Sequence, residues 1–357
     1  MFDHHTNPSP CVSALDAMRL SVERKASLEE QKQWEEAIFR LVGAPLDTHF
    51  QLTASGAEAI QQVIWSVFLE KARKEGKTHF ITSCIEDASL LQMLKRCEEL
   101  GCTIRIAPVD QQGKIDLAQL QTLITPRTAL ISLSAAHGLT GVIQPFEEIG
   151  RLAKEKGFLF HLDASWGIGK IPISFADLNV DYLSFSGSWI HSMPGTGGVF
   201  AKKEVPFLPF ILGTLSNLPS LAALSVASRL ALLSLDTMGL ETARLRNFFE
   251  EELLQKIPGL QILFADSDRL PNTTTLLFPK VHHEALAHFL QRRGVLPNQS
   301  GVFNQKLHKV LEASGIQTES ALSFSFSRMT TEEEVKQGIL VIVEVVRMLQ
   351  KMSEDLF

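Results

Sequence analysis

The chain has 357 residues, 45% of them apolar and 21% charged, and 34 Lys plus Arg against 40 Asp plus Glu leave a formal charge of -6. At roughly 100–200 residues per domain, that length holds two domains with a sizeable core. The mildly acidic balance, with basic residues scattered along the chain, excludes an electrostatic footprint for nucleic acid or an anionic membrane surface.

In chain order, an amphipathic segment at 57–71 predicts a helix and an apolar run at 79–82 a buried strand. The alternation continues with helices at 88–100, 117–123 and 145–156 and strands at 103–107, 129–133, 158–162, 182–185 and 198–201. Strands separated by helices at this spacing point to crossover units and an α/β domain with a mostly parallel sheet. Long helical periodicity follows from 218 to 235 and from 240 to 254. Apolar runs at 261–264, 274–278 and 320–327, interleaved with helical 282–293 and 331–352, predict a smaller α/β layer. The resulting division is an N-terminal segment over 1–12, a large domain over 13–225, a helical connector over 226–260 and a small C-terminal domain over 261–357.

Cys11, Cys84, Cys97 and Cys102 lack the two-residue spacing of a zinc knuckle or redox dithiol, so reduced thiols are expected. Residues 1–20 carry Asp3, His4, His5 and Asp16 where a signal peptide needs a basic start and an apolar stretch. No apolar run approaches membrane-spanning length, and the expectation is a cytoplasmic protein.

A series of short motifs runs through the large domain: 52–59 (LTASGAEA), 85–87 (IED), 108–110 (PVD), 141–145 (GVIQP), 161–164 (HLDA), 169–172 (GKIP) and 184–187 (SFSG). It continues at 310–315 (VLEASG) and 325–334 (SFSRMTTEEE). In order and spacing this series resembles the cysteine desulfurases and the wider class V aminotransferase family of pyridoxal-phosphate (PLP) enzymes. The resemblance implies the fold type I architecture: a seven-stranded, mostly parallel large domain, a small C-terminal domain, and a homodimer with the cofactor between the domains. Such a site must hold the cofactor's phosphate, keep its ring nitrogen protonated and present a lysine.

Transferred position by position, the resemblance gives a mixed answer. Asp163 matches the carboxylate that pairs with the ring nitrogen; a strand-end Asp capping the next turn is the other reading. A helix starting near Gly56 or Ala57 would offer backbone N–H groups to a phosphate, or would merely be capped by Ser55. Ala57 stands where the family has a hydroxyl residue, Ser186 matches the family Ser, and Ser188 stands where the family has His. The Schiff-base lysine position reads Trp189, and an indole has neither a nucleophilic amine nor a basic lone pair. Asp87 replaces the ring-stacking His, Gly138 an Asn that touches the cofactor and Trp166 a Gln. Ser323 stands at the substrate-carboxylate Arg, and the loop 297–301, where the desulfurase bears its nucleophile, has no Cys.

These substitutions together predict that Trp166 and Trp189 fill the cleft with protein and that covalent PLP catalysis is lost. The expected product is a pseudoenzyme, scaffold or regulator acting with a protein partner in sulfur or amino-acid metabolism. The alternative is an enzyme that binds PLP or pyridoxamine phosphate (PMP) non-covalently, without a Schiff base, and acts on an amino-acid-like substrate. His191, two residues beyond Trp189, is a candidate base, and Ser186 or Ser188 with His191 a weaker hydrolase-like pair lacking a nucleophile elbow. Lys170 reads as structural or surface, and Lys202 and Lys203 as poorly placed. His4 and His5 beside Asp3 read as a surface or strand-end pair rather than metal ligands. Leu208, Phe210, Ile211 and Leu212 read equally as core or as an inter-subunit face.

Overall fold

The computed structural model describes residues 2, 8–24, 26–211, 217–299, 307–316 and 320–354. Asp3, His4, His5 and Leu212, and Ser300 and Gly301 of the 297–301 loop, lie outside the described residues. Two helices lead, α1 (Val12–Glu23) and α2 (Leu28–Val42), followed by β1 (His49–Thr53) and α3 (Gly56–Val67), which runs through a π turn at Phe68–Ala72 into α4 (Arg73–Glu75). Then come β2 (His79–Ser83), α5 (Ala88–Glu99), β3 (Thr103–Ala107), α6 (Leu117–Leu123), β4 (Thr128–Ser134), α7 (Phe146–Lys156), β5 (Leu159–Asp163), β6 (Tyr182–Ser186) and β7 (Gly197–Ala201). Two long helices, α8 (Leu218–Leu233) and α9 (Leu235–Lys256), precede β8 (Gln261–Leu263), β9 (Thr273–Leu277), α10 (His283–Gln291), α11 (Leu307–Ala313), β10 (Ala321–Ser325) and α12 (Glu332–Glu354).

The large sheet has seven strands in the order β1-β7-β6-β5-β4-β2-β3, parallel except where β7 runs against β6 and β1. The α/β class expected from the alternation is therefore the fold observed. Fully buried parallel strands read as apolar runs, and β2 and β4 are buried along their whole length. Side chains alternate between faces: Phe200 of β7 joins the cluster containing Ile38, Ile149 and Leu224, while Val199 and Ala201 join the one with Val63, Ile64 and Leu94. β1 is absent from the sequence reading because it lies at the edge, with three of its five residues only half-buried, and so mixes polar and apolar residues.

The small sheet, β10-β9-β8, is antiparallel. Its core gathers Phe249 of α9, Leu276, Phe278, Phe324, Phe326 and Val345 of α12. Phe2 is 1% exposed within this core, edge-on to Phe249 and Phe326 at 5.4 and 5.3 Å, and its carbonyl accepts from Ser325 N. The chain then returns to the large domain, where Cys11 N donates to His191 O at 2.9 Å. Among the described residues no single helix is long and apolar enough to cross a membrane.

Candidate functional site

β2, β4, β5 and β6 are parallel, and β1, antiparallel to β7, shares their direction, so all five end at one edge of the sheet. Strand order reverses at β2, where β3 lies on one side and β4 on the other. In open α/β sheets ligands bind outside the carboxyl ends at such a switch point. The segments that leave these ends carry Ser55 and Gly56, Glu86 and Asp87, Gly138, Ser165 and Trp166, and Ser188 and Trp189.

Asp163 is the last residue of β5. Its Oδ1 accepts from Ser184 Oγ at 2.7 Å and from Ser165 Oγ at 2.8 Å, while Oδ2 is buried and has no partner. Because the Ser184 hydroxyl donates its hydrogen bond to Asp163, it accepts from the His161 Nε2–H at 2.9 Å, which leaves His161 Nδ1 to accept from Ser132 Oγ at 2.7 Å. This buried chain fixes a neutral His161, whose pKa burial holds down at about 3. Burial also pushes Asp163 up to about 6, against the pull of its two hydroxyl donors. Ser132 and Ser184 are not site residues in the sequence reading; the signal for them is a hydroxyl placed beside an inward-facing His on each neighbouring strand.

Asp87 follows β2. Its Oδ2 accepts from Trp166 Nε1 at 3.2 Å, and its Oδ1 is buried without a partner. Burial first, and then the charge of Asp163, push it up to about 7. Glu86 next to it is also raised to about 7 by burial, yet its oxygens are satisfied by Ser83 Oγ, Ser134 Oγ and Ser134 N.

Trp166 is 2% exposed and stacks on the half-buried Trp189 with ring centroids 4.4 Å apart. Gly138 is required by this packing, since a Cβ there would come within 2.5 Å of Trp166 Cε2. Gly138 thus lies behind the indole rather than on the cleft. Trp189 belongs to a 3-10 turn, Gly187–Ile190, that leaves β6. The helix start is as expected: α3 begins at Gly56, and Ser55 Oγ caps it by accepting from Glu58 N at 3.1 Å. The Glu58 carboxylate accepts from Ala54 N, placing a negative charge at the same helix end.

These elements enclose a cleft of about 210 Å³ lined by Gly56, Ala57, Asp87, Asp163, Trp166, Ser186, Ser188 and Trp189, with Pro8 of the N-terminal segment. The two indoles therefore do not fill it, contrary to the sequence expectation, because Trp166 turns into the core and Trp189 stacks on it instead of spanning the space. Among the described residues the lining has no Lys, Arg, His or Cys.

The remaining candidates lie elsewhere. Lys170 is buried, not on the surface; its Nζ donates to Trp166 O at 2.9 Å, and burial pushes it down to about 7. His191 Nδ1 donates to Ser9 O at 2.9 Å and burial lowers it to about 4, whereas His137 Nδ1 accepts from Thr140 N. Ser323 Oγ is tied to Leu139 O at 2.6 Å, and the backbone of Ser323 bridges Asn298 of the 297–301 loop. Lys202 and Lys203 pair with Asp181 and Asp47. Among the described residues no group of His, Cys, Asp and Glu forms a metal site.

Residues 17–215 match the aminotransferase class-V family. A cysteine desulfurase of Nostoc sp. (strain PCC 7120) is 31% identical over 333 residues, spanning 89% of this chain and 82% of that protein. The cysteine desulfurase NifS of Azotobacter vinelandii is 29% identical over 337 residues, spanning 90% and 83%. Among solved structures, a NifS-like protein superposes with a TM-score of 0.89 at 26% identity, covering 98% of this chain and 99% of that one. A NifS-like protein from Rickettsia africae ESF-5, at 22% identity and a TM-score of 0.84 over 97% of this chain and 99% of that one, shares the fold.

Proposed function

Because the chain belongs to the aminotransferase class-V family, as a cysteine desulfurase-like member, we propose that it keeps the scaffold of these PLP-dependent proteins and has lost covalent PLP catalysis. It then acts in the cytoplasm as a homodimeric scaffold or regulator for a protein partner in sulfur or amino-acid metabolism. The observation that carries this reading is the lining of the cleft, which offers two carboxylates, hydroxyls and two indoles where the chemistry needs an amine and a thiol. Part of the site still fits the cofactor: the unpartnered Asp163 Oδ2 suits a protonated ring nitrogen, and the start of α3 with Ser186 and Ser188 suits a phosphate. The anchorage does not fit, since Trp189 supplies no nucleophile and the amine of Lys170 is engaged behind Trp166. Exposed Leu208, Phe210 and Ile211 support a second copy as the dimer partner.

The test is borohydride reduction of the purified protein with PLP, followed by peptide mass spectrometry, alongside assay of sulfide release from cysteine. No adduct in the cleft and no sulfide above a protein-free control are expected; an adduct on any cleft side chain overturns the reading. The second reading, an enzyme using non-covalent PLP or PMP on an amino-acid-like substrate, is favoured by Asp163 Oδ2 alone. Saturable binding of either cofactor with turnover of an amino acid would select it.

A further inference from the structure

We propose that Cys97 and Cys102 are a redox-active dithiol, oxidised by a low-molecular-weight disulfide to a Cys97–Cys102 bridge that clamps the end of α5 to the start of β3. The pair lies away from the cleft, and the inference holds whether or not catalysis is lost.

Three observations carry it. First, the backbone sets the spacing. α5 ends in a Schellman turn, in which Cys102 N donates to Cys97 O at 3.0 Å and Gly101 N to Glu98 O at 2.9 Å, with Gly101 at φ +94°. The side chains at the positions of Cys97 and Cys102 are the two that meet across such a turn. A bond of that length holds the two Cα atoms about 5–6 Å apart, inside the roughly 4.4–6.8 Å that a disulfide spans. Second, both residues belong to the apolar cluster with Phe80 and Leu94, Cys97 at 0% and Cys102 at 7% exposure, and both are free thiols. Burial pushes Cys97 up to about 12, and the charge of Cys102 adds to the rise, so the two sulfurs lie within electrostatic reach. A thiolate is costly in that cluster, whereas a disulfide is neutral and apolar. Third, the bridge would act where the sheet is least held: β3 is an edge strand, and only Ala107 of its five residues is buried.

The exchange balances. Cys102, the less buried of the two, loses its proton to solvent and attacks one sulfur of the small disulfide, whose S–S bond breaks; the departing thiolate takes up a proton. Cys97, deprotonated in turn, attacks Cys102 Sγ and expels the second thiolate, which is protonated likewise. Two protein thiols are oxidised and one small disulfide is reduced to two thiols.

Oxidised glutathione is the probe. Cleavage after Arg96 and Arg105 releases residues 97–105 with both cysteines, leaving Cys11 and Cys84 on other peptides. The native full chain is incubated with the probe at about pH 8, to raise the thiolate fraction, and alkylated without reduction. The 97–105 peptide is expected to be unalkylated and two hydrogens lighter than the dithiol. The oxidised chain should melt about 2–3 °C above the reduced one, and C102A should remove the gain. Wild type compared in its two redox states keeps the test independent of how the variant folds. A bridge that forms only in denaturant, glutathione held on one of the two cysteines without ring closure, or a Tm that does not rise overturns the proposal.

Discussion

Trp166 and Trp189 stack at a centroid distance of 4.4 Å with their planes 26° apart, and the Trp166 N–H is held by Asp87. The contact ties the segment after β5 to the turn after β6 and, through Asp87, to the segment after β2. A buried Trp replaced by Ala costs about 3–5 kcal/mol, so W166A should destabilise by about that much and W189A, half-exposed, by less. A double-mutant cycle in urea denaturation should give a coupling of about 0.5–1.5 kcal/mol for the ring pair. Additive losses would mean that the two rings contribute only through separate burial.

The unpartnered oxygen of Asp163 makes stability depend on pH. Its pKa is about 6 in the folded chain against an ordinary 3.8, so the folded state favours the protonated form. Below pH 4 both states are protonated and the shift has no effect; as pH rises through 4 to 6 the unfolded chain ionises first, and stability falls to a lower plateau. D163N removes this penalty while its side-chain oxygen still accepts from Ser184 and Ser165. The variant should melt higher than the parent above about pH 7 and lose that advantage near pH 4, read by thermal denaturation across the range.

Much of this was legible in the sequence, for identifiable reasons. β3 and α6 have the expected bounds because a strand between turns and a short capped helix leave sharp local signals. β1 was not legible, since an edge strand packs by half. At the site, the sequence motifs locate the strand ends, hence Asp163, Ser186 and the start of α3, because those ends converge by topology alone. Rotamers are not in the pattern: that Trp166 turns inward over Gly138, leaving a cleft open, depends on side-chain packing. The burial of Lys170 was likewise hidden, because its partner is the backbone carbonyl of Trp166 rather than a carboxylate.

Lys170 gives an opposite pH signature. Burial depresses its pKa from 10.5 to about 7, so the folded chain sheds a proton that the unfolded chain keeps. The penalty is full below pH 7 and shrinks as pH rises toward 10.5. K170M, which keeps the apolar stem, should raise Tm at neutral pH, at about 2–4 °C for each kcal/mol gained, and the gain should fade toward pH 10. A lower Tm at neutral pH would show that the bond to Trp166 O outweighs desolvation.

Phe2 and Gly338 form a lock between the start of the chain and α12. A Cβ at 338 would lie 2.0 Å from Phe2 Cε2 and 2.4 Å from Cζ, so G338A must expel the ring. F2A should cost about 3–5 kcal/mol by leaving a cavity among Phe249, Phe324 and Phe326. If the clash is the whole effect of G338A, adding it to F2A costs little more, because the ring it would displace is already gone. Additive losses in denaturant titration would place the role of Gly338 elsewhere.

Placing a lysine at 189 tests the proposed loss of covalent chemistry. The new amine would enter a cleft whose lining carries the unpartnered oxygens of Asp87 and Asp163, and opposite charges nearby favour its protonated form. A protonated amine is not a nucleophile, so W189K should yield no covalent PLP adduct after borohydride reduction at neutral pH. Adding D87N to W189K removes one of the two acids, and appearance of an adduct only in that pair would trace the block to Asp87. An adduct in W189K alone would show that the missing amine was the only barrier.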